Sequence, residues 1–275
     1  MNLAQALQMA QAVGLPRLDA QLLLLLALGR APWERAWLLA HDTDELPAER
    51  QQVLEDLIRR RASGEPMAYL TGVKEFFGLP LQVDARVLDP RPDTETLVEW
   101  ALDVLGATPT PAVLDLGTGS GAIALALKHA RPQARVSAVD ASADALAVAR
   151  ANAARLGLAV EFFEGSWLTP VGGEFDAIVS NPPYIAAADP HLAALAHEPL
   201  QALASGPDGL DDLRQIIAQA PAHLRPGGWL LLEHGWDQAG AVRTLLAQAG
   251  FSAVQSRNDL AGIARCTGGQ WPTLR

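Results

Sequence analysis

The stretch "DLGTGSGAIALAL" at residues 115–127 joins the end of an apolar run to an alanine- and leucine-rich segment through three closely spaced glycines. Gly117, Gly119 and Gly121 let the backbone turn sharply and let a ligand approach where a Cβ atom would collide. The pattern predicts a strand, a nucleotide-type loop and a helix that begins near Ser120. Gly117, Gly119 and Ala122 also satisfy the dinucleotide-binding fingerprint, and a tight turn without a ligand is a further alternative, so the loop alone does not identify the ligand.

Apolar runs of strand length recur from about residue 94 onward. They read "AVLDLG", "RVSAVD", "VEFFE", "FDAIVSN" and "GWLLLEH", and alanine-rich helical patterns such as "ADALAVARANAARLG" lie between most of them. This alternation predicts βαβ units, a mainly parallel sheet and right-handed crossovers. Ligands of such sheets bind beyond the carboxyl ends of the strands, so the residues that follow each strand are the candidate site residues.

The second of these runs ends in "VDAS", which places Asp140 about 20 residues after the glycine loop, the spacing of a ribose-binding acid. A carboxylate in that position can accept hydrogen bonds from both hydroxyls of a ribose. The alternative role is a helix N-cap, but Ser142 can fill it instead. We therefore expect Asp140 to bind the ribose of an adenosine derivative.

The motif "SNPPYI" at residues 180–185 follows the run "FDAIV", and its two prolines end the strand abruptly. Asn181 offers a side-chain carbonyl and Pro182 a backbone carbonyl as acceptors, while Pro183 removes an N–H group and stiffens the corner. Tyr184 adds a flat aromatic face. Together these groups can hold a planar NH2 group through its two hydrogens, whereas the alternative is a proline-rich loop without a ligand.

Such a clamp suits methyl transfer to an amide or amino nitrogen. Acceptors on both hydrogens favour the pyramidal, more nucleophilic nitrogen of the transition state. S-adenosyl-L-methionine carries its own leaving group, so alignment and exclusion of water matter more than acid catalysis. A nicotinamide enzyme usually needs a proton-transferring group, and "NPPY" has none that titrates near neutrality.

The N-terminal part of the chain has a different pattern of apolar residues. Apolar residues three and four apart in "LAQALQMAQAV", "LDAQLLLLLALG" and "PAERQQVLEDLIRRRA" predict a small helical bundle. Glycines, prolines and the short runs "VKEFF" and "LQVDA" then predict a hairpin. We expect a helical docking domain at residues 1–70, a hairpin linker at 71–90 and the catalytic domain at 91–275.

The composition limits the possible partners. The 275 residues carry a formal net charge of −10, which opposes binding to a phosphate backbone. The chain has one cysteine and no apolar run long enough to cross a bilayer, so we expect a cytoplasmic protein without disulfides. Six histidines lack metal-ligand spacing, and we expect no metal.

The chain resembles the peptide chain release factor N5-glutamine methyltransferases along nearly its whole length. The resemblance is carried by "PMAYLTG", "VLDPRPDTETLVEWAL", "DLGTGSGAIALAL", "VDASADALAVARANAARLG", "VSNPPYI" and "LLLEHGWDQ". It implies an α/β fold, with a class I (Rossmann-like) methyltransferase sheet behind an N-terminal helical domain that helps to dock the release factor. The implied reaction uses S-adenosyl-L-methionine to methylate the side-chain amide of the glutamine in the factor's Gly-Gly-Gln tripeptide.

The resemblance also assigns site residues. Trp167 matches a cofactor-site position of the family and can pack against adenine, although a core tryptophan is nearly as good an interpretation. The other cofactor contacts fall on Gly117, Thr118, Gly119, Ser120, Gly121, Asp140 and Asn181. The glutamine-binding residues are Asn181, Pro182, Pro183 and Tyr184, of which Asn181, Pro182 and Tyr184 are the expected catalytic residues.

Two other functions fit parts of the pattern. An adenine-N6 DNA or RNA methyltransferase shares "NPPY" because adenine also presents a planar NH2 group, but the acidic charge disfavours it. A non-catalytic adenosine sensor would not need the clamp. We expect a monomer with a flap at residues 186–210 over the target amide, for which a purely structural loop is the alternative. The tail contains its own Gly268, Gly269 and Gln270, for which self-methylation is a weak hypothesis.

Overall fold

The computed structural model describes residues 1–273. The chain divides into two compact units, Met1–Gly72 and the part from Val73 onward. The N-terminal unit consists of α1 (Leu3–Ala12), α2 (Arg17–Ala27), α3 (Arg35–Ala40), α4 (Ala48–Ala62) and α5 (Met67–Thr71). This region is helical, as expected. The hairpin that follows belongs to the second unit.

Side-chain capping fixes the start of α1, and a leucine core holds the helices of the N-terminal unit together. Asn2 and Gln5 form a reciprocal capping box at the start of α1, with hydrogen bonds of 2.8 and 2.9 Å. Leu23 and Leu54, among other apolar residues, are fully buried where α1, α2 and α4 meet. Burial of this apolar surface is the main favourable contribution to the stability of the unit.

The second unit begins with an antiparallel hairpin of β1 (Val73–Phe76) and β2 (Leu79–Gln82). The sequence predicts the hairpin, but the second strand starts two residues earlier than "LQVDA" indicates. The helices that follow are α6 (Glu95–Leu105), α7 (Ala122–Ala130), α8 (Ala143–Leu156), α9 (Asp211–Gln219) and α10 (Ala239–Gln248). Helix α7 begins at Ala122, two residues after the expected start, because the glycine turn occupies the intervening positions.

The sheet strands are β3 (Ala112–Leu116), β4 (Arg135–Asp140), β5 (Glu161–Glu164), β6 (Phe175–Ser180), β7 (Leu224–Glu233), β8 (Ser252–Asn258) and β9 (Ala264–Gln270). Their order is β5-β4-β3-β6-β7-β9-β8. The first five strands of this order, β5, β4, β3, β6 and β7, pair in parallel, which confirms the predicted mainly parallel sheet. The strand order reverses between β3 and β6, and ligands of open parallel sheets bind beyond the carboxyl ends at such a point.

The central strands are covered on both faces, so they appear in the sequence as continuous apolar runs. All five residues of β3 are buried, and Leu114 packs in one core cluster with Ile178 of β6 and Leu230 of β7. Between residues 1 and 273, no helix is long and apolar enough to cross a membrane.

The last two strands were not predicted, and they pair antiparallel at one end of the sheet. Strand β9 contains the Gly-Gly-Gln tripeptide of the tail. A Cβ atom at Gly268 would lie 2.5 Å from Leu231 Cδ2, and Gly269 would meet Phe251 Cβ at 2.8 Å. Gln270 donates to the carbonyl of Gly227 at 2.9 Å. Close packing against β7 therefore explains the two glycines, without any role as a methylation target.

Candidate active site

The glycine loop follows β3 at the carboxyl edge of the sheet. The backbone N–H groups of Gly117 and Thr118 donate to the carbonyl of Val139, which fixes the loop against β4. Gly117 has φ +70°, and a Cβ atom there would lie 3.3 Å from the Trp167 ring. The loop therefore needs glycine at this position both for its backbone conformation and for the closeness of the indole.

A buried carboxylate supports the loop from behind. Asp115 Oδ2 accepts a hydrogen bond from Thr118 Oγ1 at 2.7 Å and one from the backbone N–H of Ala124 at 3.2 Å. Its Oδ1 is buried without a hydrogen-bond partner, and burial raises the pKa of this carboxyl to about 7. Asp115 thus shapes the turn between β3 and α7 rather than facing a ligand.

Asp140, at the end of β4, is held by two backbone N–H groups. Gly119 donates to its Oδ2 at 2.8 Å and Ser142 to its Oδ1 at 2.9 Å, so the carboxylate is tied to the glycine loop. Burial raises its pKa, and these hydrogen bonds partly oppose that rise. Ser142 caps α8 by accepting from the N–H of Ala145, as the sequence suggested, so Asp140 is available for a ligand.

Trp167 closes the opposite side of the loop. It has φ +48°, which is uncommon for a bulky residue and often marks a functional position. The indole is half-buried and lies against Gly117. Its ring therefore forms a flat apolar wall beside the glycine turn.

These residues surround a cavity of about 250 Å³. It contains six of the residues assigned from sequence, namely Gly117, Gly119, Asp140, Trp167, Asn181 and Pro183. Five other assigned residues of the same two segments do not line the cavity, namely Thr118, Ser120, Gly121, Pro182 and Tyr184. Among the lining residues without an earlier assignment are Arg86, Val87, Leu88, Ser142, Pro199, Gln201 and Ala202.

Asn181 is the first residue after β6 and lies on the cavity wall. Its Nδ2 donates to Thr94 Oγ1 at 3.3 Å, which leaves the side-chain carbonyl as an acceptor for a ligand. The preceding Ser180 donates its hydroxyl to the carbonyl of Leu116 at 2.7 Å and so ties the end of β6 to β3. The amide is therefore positioned by two contacts outside its own motif.

The rest of the motif turns away from the strand and is held by the segment at residues 186–210. The N–H groups of Tyr184 and Ile185 both donate to the carbonyl of Leu203. The carbonyl of Tyr184 accepts from Gln238 Nε2 at 3.0 Å. Burial raises the pKa of the Tyr184 phenol, so the hydroxyl remains protonated near neutral pH.

Two residues close to this motif were not assigned from the sequence. Thr94, at the start of α6, is 4% exposed, and Glu233, at the end of β7, is 1% exposed. The β6–β7 register pairs Ser180 with Leu232, so Glu233 lies beside Asn181 at the sheet edge. Glu233 had a detectable signal, because it is a charged residue that ends the apolar run Trp229–Leu232. Thr94 had none of its own.

The segment at residues 186–210 contributes to the cavity through Pro199, Gln201 and Ala202. It contains short 3-10 helices at Pro190–Leu195 and Leu200–Ala202. Glu198 is buried and accepts from Arg91 Nη2 at 2.5 Å and from the N–H of Asp89 at 3.1 Å. This ion pair ties the segment to the chain that precedes α6.

The site is thus a cavity bounded by the glycine loop, by Asp140 and by the side-chain carbonyl of Asn181. No group of three histidine, cysteine or acidic side chains in residues 1–273 could hold a metal ion. The groups present can bind, orient and exclude water, and a methyl transfer from a sulfonium donor needs only these functions.

Comparison with known proteins gives two family matches. Residues 94–249 match the family model described as "Methyltransferase small domain", and residues 2–72 match the "PrmC N-terminal domain". Two curated proteins, each named "Release factor glutamine methyltransferase", are similar over most of the chain. The Bordetella pertussis protein is 53% identical over 93% of this chain and 95% of its own length, and the Yersinia pestis protein is 52% identical over 93% and 92%.

A solved structure supports the fold alone. A methyltransferase from Pyrococcus furiosus superposes with a TM-score of 0.57 at 20% identity, and the match covers 72% of this chain and 91% of the other. The predicted class I methyltransferase sheet is therefore confirmed by the family match and by this likeness.

Proposed function

Because this chain belongs to the family of release factor glutamine methyltransferases, we propose that its cavity holds S-adenosyl-L-methionine and that Asn181, Pro182, Pro183 and Tyr184 hold the target amide. The enzyme methylates N5 of the glutamine side chain in the Gly-Gly-Gln tripeptide of release factors. The observation that carries the proposal is the orientation of Asn181, whose Nδ2 is engaged by Thr94 while its carbonyl is free on the cavity wall.

The residues around the cavity fit this cofactor. Asp140 keeps lone pairs on both oxygens for the two ribose hydroxyls, because each oxygen accepts only one backbone N–H. Gly117 leaves open the space beside the Trp167 ring that a Cβ atom would fill. When bound, S-adenosyl-L-methionine supplies an electrophilic methyl group, and the electrons of the broken C–S bond return to sulfur. Gly119 and Gly121 complete the turn, with Thr118 and Ser120 buried behind it.

The chain's own groups prepare the glutamine nitrogen. The side-chain carbonyl of Asn181 and the backbone carbonyl of Pro182 accept the two N–H groups of the amide, which favours the pyramidal nitrogen that can form the new N–C bond. Tyr184 stacks on the plane of the amide. After transfer the nitrogen loses one proton to solvent, so no side chain of the motif needs to act as a base.

The N-terminal unit is the docking domain for the release factor in this proposal. Its two most exposed large apolar side chains are Trp33 at 81%, just before α3, and Leu39 at 64%, on α3. Exposed aromatic residues are typical of protein interfaces. We infer that the enzyme acts as a cytoplasmic monomer, and that its net charge of −10 keeps it from binding DNA.

Labelled S-adenosyl-L-methionine tests the proposal. We expect label on a release factor, none on a factor whose tripeptide glutamine is replaced by alanine, and none on duplex DNA. Asn181→Ala should lower turnover on the order of 100 to 1000 fold, because one preorganised acceptor is lost, with cofactor affinity nearly unchanged. Unchanged turnover in this variant, or label on DNA alone, would contradict the proposal.

A further inference from the structure

Glu233 is a buried carboxylate that the clamp does not itself use. It ends β7, is 1% exposed, and its Oε2 has no hydrogen-bond partner in the part of the chain that the structure describes. A buried carboxylate oxygen without a donor is costly, so its retention needs a reason. The β6–β7 register places it beside Asn181, at the same edge of the sheet.

Two hydroxyl groups approach this carboxylate. The hydroxyls of Thr94 and Tyr184 each lower the pKa of the Glu233 carboxyl, so both lie near enough to act on it as donors. Thr94 is also the acceptor for Nδ2 of Asn181 at 3.3 Å. Glu233 is therefore placed to act on both ends of the clamp, on Asn181 through Thr94 and on Tyr184 through its hydroxyl.

The direction of these hydrogen bonds determines how Asn181 faces the substrate. An ionised carboxylate can only accept, so it takes the hydroxyl proton of Thr94. Thr94 Oγ1 must then accept from Asn181, which makes the amide present its NH2 group to Thr94 and its carbonyl to the substrate. A protonated Glu233 could instead donate to Thr94, whose hydroxyl proton would then compete for the Asn181 carbonyl.

We propose that Glu233, in its ionised form, is a positioning residue for methyl transfer: through Thr94 it fixes the Asn181 amide with its carbonyl toward the substrate, and it orients the Tyr184 hydroxyl. This inference rests on the proposed function, because it assigns a role within the same clamp. Glu233 acts through these neighbours and does not itself contact the target amide.

The surroundings of Glu233 make its charge sensitive to pH. Burial and the charge of Asp93 raise its pKa, the two hydroxyls and Arg265 of β9 oppose the rise, and the net result is a pKa of about 7. Cys266, its partner in the β7–β9 register, faces it as a thiol whose own pKa is raised by burial. His234 follows it in the chain and has a lowered pKa, so it is neutral near pH 7. The ionised form therefore gains population as the pH rises through neutrality.

Three variants test this role in the full-length enzyme with a release factor as substrate. Glu233→Gln keeps the shape and removes the charge, Thr94→Val removes the relaying hydroxyl, and Thr94→Ser keeps it. We expect turnover to fall on the order of tenfold in Glu233→Gln and Thr94→Val and to stay near the unmodified level in Thr94→Ser. The cofactor dissociation constant should stay constant in all three.

The pH profile separates positioning from a merely structural role. The turnover number of the unmodified enzyme should rise between about pH 6 and 8, and this rise should be absent in Glu233→Gln. The double variant Glu233→Gln/Thr94→Val should be no slower than either single variant, since both act through one hydrogen-bond chain.

The inference is overturned if Glu233→Gln keeps the turnover and pH profile of the unmodified enzyme, or if the two substitutions have additive effects. If Glu233→Gln does not fold, the Thr94→Val and Thr94→Ser pair decides, and equal turnover in these two overturns it. An unmodified enzyme that labels no release factor would instead overturn the proposed function.

Discussion

The proposed site has a cofactor half and a substrate half, and the two are built in different ways. The cofactor half relies on the backbone: Asp140 is held by the N–H groups of Gly119 and Ser142, which lie 21 and 2 residues away in the chain. The substrate half relies on side chains from distant segments: Asn181 contacts Thr94, 87 residues earlier. A backbone-built site depends on loop conformation, whereas a side-chain-built site depends on where the sheet brings unrelated segments together.

This difference predicts how the halves respond to substitution. Changes in the cofactor half should alter the affinity for S-adenosyl-L-methionine and leave turnover at saturation largely intact. Changes in the substrate half should lower turnover and leave cofactor affinity unchanged, as expected for Asn181→Ala and Glu233→Gln. A cofactor-half variant that lowers only turnover, or a substrate-half variant that lowers only cofactor affinity, would contradict this division of the site.

The largest effect within the cofactor half is expected for Asp140→Ala. The loss of two hydrogen bonds to a charged acceptor should weaken cofactor binding on the order of 100-fold, or about 3 kcal/mol. Calorimetric titration measures this directly. Asp144→Ala is the matched control, because Asp144 is an exposed carboxylate in the first turn of α8 that does not line the cavity.

Asp140 also predicts a pH dependence of cofactor binding. Burial raises the pKa of this carboxyl, and only the ionised form accepts from both hydroxyls. Affinity should therefore weaken as the pH falls toward the raised pKa, and Asp140→Ala should lose this dependence. Equal affinity of the unmodified enzyme across the acidic range would contradict the ribose assignment.

Gly117→Ala should have a smaller effect, on the order of tenfold in cofactor affinity. The new Cβ atom at φ +70° costs about 1 kcal/mol of strain and lies 3.3 Å from the Trp167 ring, which must shift. Gly157→Ala is the control, since Gly157 has φ +66°, no atom within 4 Å of the added Cβ, and a place at the end of α8 outside the cavity. Gly157→Ala should lower the thermal stability, because it introduces a similar backbone strain, and should leave the cofactor affinity unchanged.

The same difference explains what the sequence could predict. The glycine loop, the acid about 20 residues later and the buried parallel strands follow from local patterns, and these were predicted close to their observed positions. Strands β8 and β9 were missed because their burial alternates irregularly and Gly268 and Gly269 weaken the strand pattern. Glycine there is required by packing against Leu231 and Phe251, which no local pattern reveals.

The substrate half shows most clearly what could not be predicted from the sequence. Asn181 and Tyr184 were identified from their own motif, but Thr94 is meaningful only because α6 starts beside the end of β6. Glu233 could have been suspected from its place at the end of an apolar run, yet its closeness to Asn181 depends on the parallel register of β6 and β7. Long-range pairing of this kind is not encoded in spacing along one segment.

The smallest expected effect concerns the segment at residues 186–210, the predicted flap, which lines the cavity and also holds Tyr184 through Leu203. Glu198 is buried against Arg91 and the N–H of Asp89, and the next residues, Pro199 and Gln201, line the cofactor cavity. Glu198→Gln weakens the ion pair but keeps the shape, so the flap should open more often without losing its closed form. The cofactor dissociation constant should rise about threefold, a change of about 0.6 kcal/mol.

The matched control for this last change is His191→Ala on the same flap, because the His191 side chain is 85% exposed and does not line the cavity. It should leave affinity and turnover unchanged. If Glu198→Gln lowers turnover at saturating cofactor and leaves the dissociation constant unchanged, the flap acts on the glutamine and not on the cofactor. In that case the flap belongs to the side-chain-built half, because the tie to Arg91 would then serve to place the motif at residues 181–184 through the contact of Leu203 with Tyr184.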